Sequence, residues 1–518
     1  MRRRCLIPLV CLCLGFFACA REDGVTGDGA GVTGDGAGNF SRAFKAPVPG
    51  GPDAPPAPGV DDVPDAVPRP GPDPKTPPDP VAETSLPAGC DVQRCRVRAL
   101  TPELVAFLAK EPDRLLTFEP RTTTAELATL RLVPGVRRLE LSHLDRPDLT
   151  RVPGAALTEL RLGRTGLTDL APLAAFPRLT HLVLFEAPFT DAAPLAGLSA
   201  LEVLDLSRCP NVRDFGFLAR LTRLSSLLLS GTAFSDPALL SGLTGLRELG
   251  LGHTKLATSG VEALAPLTGL FGLHLDGLAG LTDLSALAGM KELRHLGLSD
   301  TRVRELKPLA GLAELRTLKL TRTPVTNLAA LAGTRQLHSL YIERTKVADL
   351  SPLRGLAGLR WLHVANTPVA NLAPLAGLGL TTLDLAGTRV RQLGALRGCR
   401  QLERLLLAGT AVSDLSPLTG LPLRLLDLTR TKVVTLAPLA QVPTLAALTL
   451  AHTAVKDLSP LLGLPKLEAL DLREVTLTRP EQVLELRHLK TLIFTERLLP
   501  TAVRQTLTAR GVELIPET

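Results

Sequence analysis

The chain has 518 residues and a formal net charge of +7, and its basic and acidic residues are mixed along most of the sequence. Nucleic-acid binding requires basic residues gathered into a stripe, so this distribution predicts no nucleic-acid partner. Aromatic residues are scarce, with a single Tyr and a single Trp among them.

The N-terminal segment "MRRRCLIPLVCLCLGFFACA" predicts export. It has a basic start, an apolar run too short to span a bilayer, and small residues at its end, which together indicate a secretory signal over residues 1–18. Ala18, Cys19 and Ala20 satisfy the A-x-A cleavage rule, whereas "FFAC" resembles the lipobox of bacterial lipoproteins. The second alternative is favoured: a lipid on Cys19 would hold the protein at the outer membrane or cell surface, and this lipid would be its sole membrane contact.

Residues 19–88 form a Gly-rich and then Pro-rich segment. The stretch "GVTGDGA" occurs twice, and few aliphatic residues follow it. Such a composition cannot bury enough apolar surface to fold, so a disordered tether is predicted. A G-x-G-x-x-G pattern at Gly29, Gly31 and Gly34 has no strand before it and no helix after it, and is therefore not a dinucleotide site.

Residues 89–114 are predicted to cap the folded region. Cys90 and Cys95 lie in "CDVQRC", and in an exported protein a disulfide between them is expected; two free thiols are the alternative. Zinc is disfavoured because the second pair of ligands is missing. In "LTPELVAFLAKEP", Thr101 and Pro102 predict the start of a helix that covers the first open core layer.

From residue 115 to 488 the pattern L-x-x-L-x-L recurs with a spacing of mostly 22 residues. Full copies begin at Leu157, Leu179, Leu201, Leu224, Leu246, Leu270, Leu293, Leu315, Leu337, Leu359, Leu380, Leu402, Leu423, Leu445 and Leu467. Weaker copies begin at Leu115, Val136 and Leu489. Residues 489–518, with "LPTAVRQTLTARGVELI", predict a C-terminal cap made of a helix and a final strand.

Within each copy the first half predicts a short strand. Its fourth and sixth positions point inward, since alternate strand side chains face opposite ways. Thr usually occupies the ninth position, where one hydroxyl can donate and accept, and it is expected to link backbone groups from one repeat to the next. Cys209 falls in the same column and Cys399 replaces a core leucine, so both predict buried structural residues rather than reactive thiols.

The second half of each copy has the form D-L-x-P-L-A-G-L, as in "DLAPLAAF" from Asp169, "DLSPLRGL" from Asp349 and "DLSPLLGL" from Asp457. This resembles the internalin-type leucine-rich repeat of bacteria. The resemblance implies an α/β solenoid, a curved array of about fifteen full repeats with a concave parallel sheet and helical end caps. It also implies a protein partner held on the concave face.

Catalytic signatures such as G-x-S-x-G, H-E-x-x-H and G-x-x-x-x-G-K are absent from the sequence. The protein is therefore expected to be neither an enzyme nor a binder of cofactors or small-molecule substrates. A metal site is left open as a second hypothesis, because His274, Asp276 and His295 take outward positions in neighbouring repeats, with His253 near the edge. Solvated polar residues on an open sheet are the alternative interpretation.

The single Tyr and the single Trp occur in successive repeats, both at outward positions. Lys319, Tyr341, His363 and Asp384 share the fifth position of four successive strands, which predicts one row across the sheet. The predicted ligand-binding residues are Lys319, Arg322, Tyr341, Glu343, Arg344, Trp361, His363, Asn366 and Asp384. The alternatives are that Trp361 merely shields small neighbours, and that the protein is a structural envelope component that binds cell-wall glycan or itself.

Overall fold

The computed structural model describes residues 87, 90–91, 93–97, 100–119 and 127–517. The expected signal segment 1–18, the lipidation residue Cys19 and, apart from Pro87, the expected tether lie outside the described residues. The chain divides into two compact units. The first contains residues 84–423 with 430–433, and the second contains 424–429 with 434–518.

The first unit is built on fifteen short strands, each paired in parallel with the next along the chain. They are β1 Arg94–Val97, β2 Leu115–Phe118, β3 Arg138–Glu140, β4 Glu159–Arg161, β5 His181–Val183, β6 Val203–Asp205, β7 Ser226–Leu228, β8 Glu248–Gly250, β9 Gly272–His274, β10 His295–Gly297, β11 Thr317–Lys319, β12 Ser339–Tyr341, β13 Trp361–His363, β14 Thr382–Asp384 and β15 Arg404–Leu406. The periodic leucines therefore mark the strands as predicted, including the weaker copies at the start.

Short 3-10 helices return the chain on the other side of each repeat. In the first unit they are Ala128–Leu132, Leu149–Arg151, Ala171–Ala175, Ala193–Gly197, Gly216–Arg220, Pro237–Leu240, Thr258–Gly260, Glu262–Leu264, Ser285–Gly289, Lys307–Gly311, Ala329–Leu331, Ser351–Leu353, Ala373–Leu375, Gly394–Gly398 and Ser416–Leu418. The core lies between them and the strands. In the repeat that contains β12, the fourth and sixth positions, Leu340 and Ile342, are fully buried, as the strand register predicts.

The Asp of the D-L-x-P-L motif starts the 3-10 helix. In the repeat of β12, Asp349 Oδ1 accepts a hydrogen bond of 2.8 Å from the backbone N–H of Ser351. The Ser351 hydroxyl and backbone bonds hold the pKa of this carboxyl below its ordinary value. The N–H groups of the first helical turn have no partner within the helix, so a proline there, which has no N–H, loses no hydrogen bond. The motif is thus a turn signal with a local cause.

The Thr of the ninth position bonds within its own repeat, and the expected link from one repeat to the next is wrong. Thr345 Oγ1 donates to the carbonyl oxygen of Ile342 at 2.7 Å, and its backbone N–H donates to the same oxygen at 3.3 Å. A short polar side chain can hydrogen-bond to the backbone of its own turn, and this bond competes with one to the neighbouring repeat. Cys209, in the same column, instead donates from Sγ to the Leu184 carbonyl of the preceding repeat at 3.2 Å.

Both cysteines of the array are buried, as predicted. Burial raises the pKa of the Cys209 thiol to about 12 and also raises that of Cys399. At the start of the first unit, Cys90 and Cys95 are joined by a disulfide. Helix α1, Pro102–Lys110, follows, and Thr101 caps it by accepting a hydrogen bond from the Leu104 N–H at 3.3 Å.

The second unit continues the same plan with five parallel strands and ends in a cap. Its elements are β16 Leu425–Asp427, β17 Ala447–Thr449, β18 Ala469–Leu472, β19 Thr491–Thr495, helix α2 Thr501–Ala509 and β20 Glu513–Glu517, with 3-10 helices at Ala437–Gln441, Ser459–Leu461, Pro480–Glu485 and Glu496–Leu498. The predicted C-terminal helix and strand are present. Arg473 is buried against the fully buried Asp471, with Nη2 to Oδ2 at 2.8 Å, and reaches Glu517 of β20 at 3.2 Å.

None of the helices in the described part of the chain has the length and apolar character that a membrane crossing requires.

Candidate functional site

The fifth positions of four strands form one row across the sheet. Lys319 is in register with Tyr341, Tyr341 with His363, and His363 with Asp384. Adjacent strands lie about 4.8 Å apart, so neighbouring side chains in this row can touch. The row predicted from the sequence is therefore present on the outward side of β11–β14, here called the sheet face.

Trp361 lies on the same face but in the next row. As a third-position residue it is in register with Ser339 of β12 and Thr382 of β14. Its side chain is half-buried, while the next residue, Leu362, is completely buried on the opposite side of the strand. The two unique aromatics thus share a surface on adjacent strands, β12 and β13.

Tyr341 stacks on His363. The two ring centroids are 4.8 Å apart and the ring planes differ by 15°. His363 Nδ1 lies 3.8 Å from Glu343 Oε1 and 3.9 Å from Asp384 Oδ2, distances too long for hydrogen bonds. With 23% of its side chain exposed, His363 is held chiefly by the stack and by the two flanking carboxylates. The sequence placed His363 in the row but did not predict the stack, because ring stacking also depends on the side-chain directions on the two strands.

Glu343 is held by a hydrogen bond from the preceding repeat. Its Oε2 accepts a hydrogen bond of 2.7 Å from the hydroxyl of Thr321 on the preceding repeat. Burial raises the pKa of this carboxyl, although the Thr321 bond and the nearby His363 oppose the rise. The carboxylate is therefore incompletely compensated inside the protein and would be stabilised by positive charge from outside.

The eighth position of every repeat from β3 to β18 has a left-handed backbone, which the sequence did not predict. The column is His143, Arg164, Glu186, Arg208, Gly231, His253, Gly277, Asp300, Arg322, Arg344, Asn366, Gly387, Gly409, Arg430, His452 and Glu474. Glycine, Asn and Asp tolerate this region best, and other side chains pay a strain of about 1–2 kcal/mol. Because Arg, Glu and His occupy this column as well as glycine, the residue types do not reveal its left-handed backbone.

The three predicted eighth-position residues differ in their surroundings. Arg322 makes a bidentate ion pair with Asp300 of the preceding repeat, which neutralises much of its charge. Asn366 lies over Gly387, where an added Cβ would stand 2.4 Å from its Oδ1. Arg344 is exposed at the margin. In the next two repeats the eighth position has no side chain, because it is occupied by Gly387 and Gly409.

The contacts of His274, Asp276 and His295 do not favour the metal site that the sequence left open. Asp276 Oδ1 accepts a hydrogen bond of 2.8 Å from the Ser299 N–H, and its other oxygen fills the space where a Cβ on Gly297 would stand. This carboxylate is thus engaged with the backbone of the next repeat. Among the residues that the structure describes, no group of three or more His, Cys, Asp or Glu side chains could hold a metal ion.

The two histidines of this group lie in different rows of adjacent strands. His274 belongs to the fifth row and His295 to the third, and the nearest carboxylate oxygen to His274 Nε2 is that of Glu248, at 3.9 Å. His253, at the left-handed position, lies over Gly277. Burial lowers the pKa of His274 and lowers that of His295 to about 4, so both are neutral at pH 7.

Together the 22-residue period, the parallel strand ladder and the buried leucine columns define a leucine-rich-repeat protein. No protein-family model and no curated protein sequence matches the chain. Its structural neighbours are internalins and other leucine-rich-repeat proteins.

Three solved structures illustrate this likeness. An internalin (inlF) from Listeria monocytogenes is 23% identical, covers 67% of this chain and 88% of its own, and has a TM-score of 0.43. A leucine-rich-repeat protein of Leptospira interrogans is 18% identical over 81% of this chain and 99% of its own, with a TM-score of 0.49. The plant peptide hormone receptor RGFR1, in complex with RGF2, is 16% identical over 70% of this chain and 65% of its own, with a TM-score of 0.51. At these identities the likeness concerns the fold alone.

Proposed function

We propose that this chain is an exported, lipid-anchored protein-binding module that performs no chemistry and holds a protein partner on its sheet face, the concave side of the solenoid. The observation that carries the proposal is the stack of Tyr341 on His363 beside the half-buried Trp361. Large rigid aromatics that are partly exposed lose little conformational entropy on binding and often dominate the energy of an interface.

The surroundings of these rings support a contact role. Glu343 and Asp384 flank the stack with carboxylates, and Lys319 extends the row on the other side. A partner that covers the rings would remove Trp361 from water and offer polar groups to this rim. The fold is also one whose solved examples include a receptor in complex with its peptide hormone. The contact residues proposed for this chain are the nine named from its sequence.

The cellular setting is proposed from the sequence alone. The signal segment, the lipobox-like "FFAC" and the Pro-rich tether support a lipid on Cys19 and a place at the outer membrane or cell surface. Replacement of Cys19 by Ser should release the protein into the soluble fraction. A wild-type chain that carries no lipid and begins at Arg21 would contradict the anchor without affecting the binding proposal.

Identification of the partner requires the native envelope. A photo-crosslinking amino acid at position 363 should capture a specific protein, while the same group at position 302, outside the nine proposed contacts, should not. With the captured protein purified, Trp361→Ala should weaken binding roughly thirtyfold, which corresponds to about 2 kcal/mol. Full affinity in Trp361→Ala, or capture of cell-wall glycan alone at position 363, would refute a protein-binding role for this face.

A further inference from the structure

A row of mainly basic residues runs along the N-terminal ends of strands β8–β13. Backbone hydrogen bonds join the second positions of successive repeats: Phe271 N–H to the Arg247 carbonyl at 2.7 Å, Arg294 to Phe271 at 2.8 Å, and Arg316 to Arg294 at 2.8 Å. The ladder continues with His338 to Arg316 at 2.8 Å and Arg360 to His338 at 2.9 Å. We call these six residues the basic ridge: Arg247, Phe271, Arg294, Arg316, His338 and Arg360.

The run of basic residues at the second position of the repeat ends on both sides of the ridge. On one side the ladder passes through Ser225 to Glu202, and on the other through Thr381 to Glu403. Basic residues thus occupy five of six successive positions, and acids occupy the same column two repeats beyond each end. The mixed signs along the sequence conceal this run, because its members are 22 to 24 residues apart.

The ring of Phe271 organises one end of the ridge. The guanidinium of Arg247 lies 5.2 Å from its centroid and that of Arg294 lies 4.7 Å from it. Cation–π contacts fix the direction of both guanidiniums without cancelling their charge. With two guanidiniums at its ring, Phe271 is also poorly placed to stack on a nucleic-acid base.

Arg360 is likewise held by groups that carry no net charge. Arg360 Nη1 donates to the carbonyl oxygens of Ala357 at 2.7 Å and Leu359 at 3.2 Å. Within the part of the chain that the structure describes, Arg294, Arg316 and Arg360 make no ion pair, and the Nε of Arg294 is buried without a hydrogen-bond partner.

Among the residues that the structure describes, one ridge residue, Arg247, forms an ion pair. Glu292 lies 3.4 Å from Arg247, and both side chains are about half exposed, with 57% and 49% of their surfaces accessible. An exposed pair of this kind contributes little and is readily exchanged. The ridge therefore presents positive charge that the described part of the protein does not neutralise.

We propose that the basic ridge binds an acidic peptide segment of the partner that docks on the sheet face. This inference rests on the proposed function and names the chemistry of its partner. Arg360 directly precedes Trp361 in the chain, so a protein that covers Trp361 brings its own margin onto the ridge. Six positions at a strand spacing of about 4.8 Å span roughly 24 Å, the length of an extended segment of about seven residues.

The same charges orient the partner. Glu343 and Asp384 lie toward the C-terminal side of the strands, and Arg316 and Arg360 lie at their N-terminal side. At about 3.3 Å per residue, the second and seventh positions of a repeat are roughly 16 Å apart. The C-terminal side also carries the exposed Arg344, so its charge is mixed, whereas the ridge is mainly basic; an acidic edge of the partner is therefore drawn to the ridge side, which favours one orientation on the face.

The test uses a fluorescent oligo-glutamate peptide as the probe and the full chain as the receptor. Binding measured by anisotropy at low salt should weaken as salt is added. Arg316→Gln should weaken it about two- to fivefold and Arg316→Glu more, because each removes an exposed charge. Arg302→Gln, at an exposed position in the repeat of Arg294 but outside the ridge, should leave binding unchanged. An unaltered unfolding midpoint confirms that each variant is folded.

Three outcomes overturn the proposal: no binding of oligo-glutamate at low salt, equal weakening by Arg316→Gln and Arg302→Gln, or binding of heparin without binding of oligo-glutamate. Failure of the ridge is distinguishable from failure of the proposed function. If Trp361→Ala lowers affinity for the captured partner and Arg316→Glu does not, the ridge proposal is wrong and the sheet-face proposal stands.

Discussion

Trp361 and Leu362 are neighbours in β13, but the first is proposed to contact the partner and the second packs in the core. Replacing each by alanine therefore separates the effect on binding from the effect on stability. Leu362 is completely buried and pairs in register with Leu340 and Leu383, which belong to the same core column. Trp361 is half-buried on the sheet face. Leu362→Ala should therefore destabilise the array strongly, and Trp361→Ala should change its stability little.

The magnitude follows from the burial of Leu362. Removing a fully buried leucine side chain forfeits its transfer free energy and leaves a cavity, at a cost of about 2–5 kcal/mol. Each repeat contacts its neighbours in the chain and little else, so this loss should weaken the repeats around β13 before distant ones. Leu160→Ala in β4, at the same fourth position and equally buried, is the matched control.

The chain contains a single Trp, so tryptophan fluorescence reports the unfolding of this one repeat. In urea, Leu362→Ala should lower the midpoint of the fluorescence transition, and far-UV circular dichroism should reveal a second transition from the rest of the array. Leu160→Ala should lower the dichroism signal first and leave fluorescence nearly unchanged. If Leu362→Ala unfolds at the wild-type midpoint, the assigned register is off by one; if both variants shift both signals equally, the unit unfolds as a whole.

Other predictions concern local bonds. Thr345→Val should cost about 1 kcal/mol through loss of the hydroxyl bond to Ile342, and Thr345→Ser should retain most of the stability in the same urea titration. Hydrogen bonds, that from Gln482 foremost, lower the pKa of Asp457 from 3.8 to about 2, so the stability they provide is present above pH 4 and lost as pH falls towards 2. Asp457→Asn should make the urea midpoint less sensitive to acid; an unchanged acid profile would exclude this carboxyl. Because Cys209 is buried with a pKa of about 12, native protein should resist alkylation there until denatured, and rapid labelling would contradict its burial.

The fold could be predicted from the sequence because its determinants repeat. A leucine such as Leu340 recurs at the same position in each copy, so the strand register and the buried columns follow from spacing alone. The caps follow from local chemistry: Thr101 with Pro102 starts a helix wherever it occurs, and the structure has that cap bond.

What the sequence concealed depends on contacts whose partners vary between repeats. The left-handed eighth column holds Arg344 and Asn366 as well as glycine, so residue type alone does not mark it. The sequence also could not show that the Asp276 carboxylate accepts a hydrogen bond from the Ser299 N–H, because this contact depends on the neighbouring Gly297 having no Cβ. The stack of Tyr341 on His363 similarly requires the side-chain directions of two adjacent strands.

Inward and outward residues of a repeat have different roles, and the outward residues are the ones that indicate a binding partner. Inward residues are nearly identical from copy to copy because each must fill the same core layer, so they carry no information about a partner. Outward residues contribute little to that core and are free to differ. In β9 and β10 one outward position of each strand is a glycine, Gly272 and Gly297, whereas β11–β13 present Lys319, Tyr341 and Trp361, a change that packing does not require. Such a departure from the local pattern, bordered on one side by the unneutralised charge of the basic ridge, is what a surface adapted to one oriented partner would present.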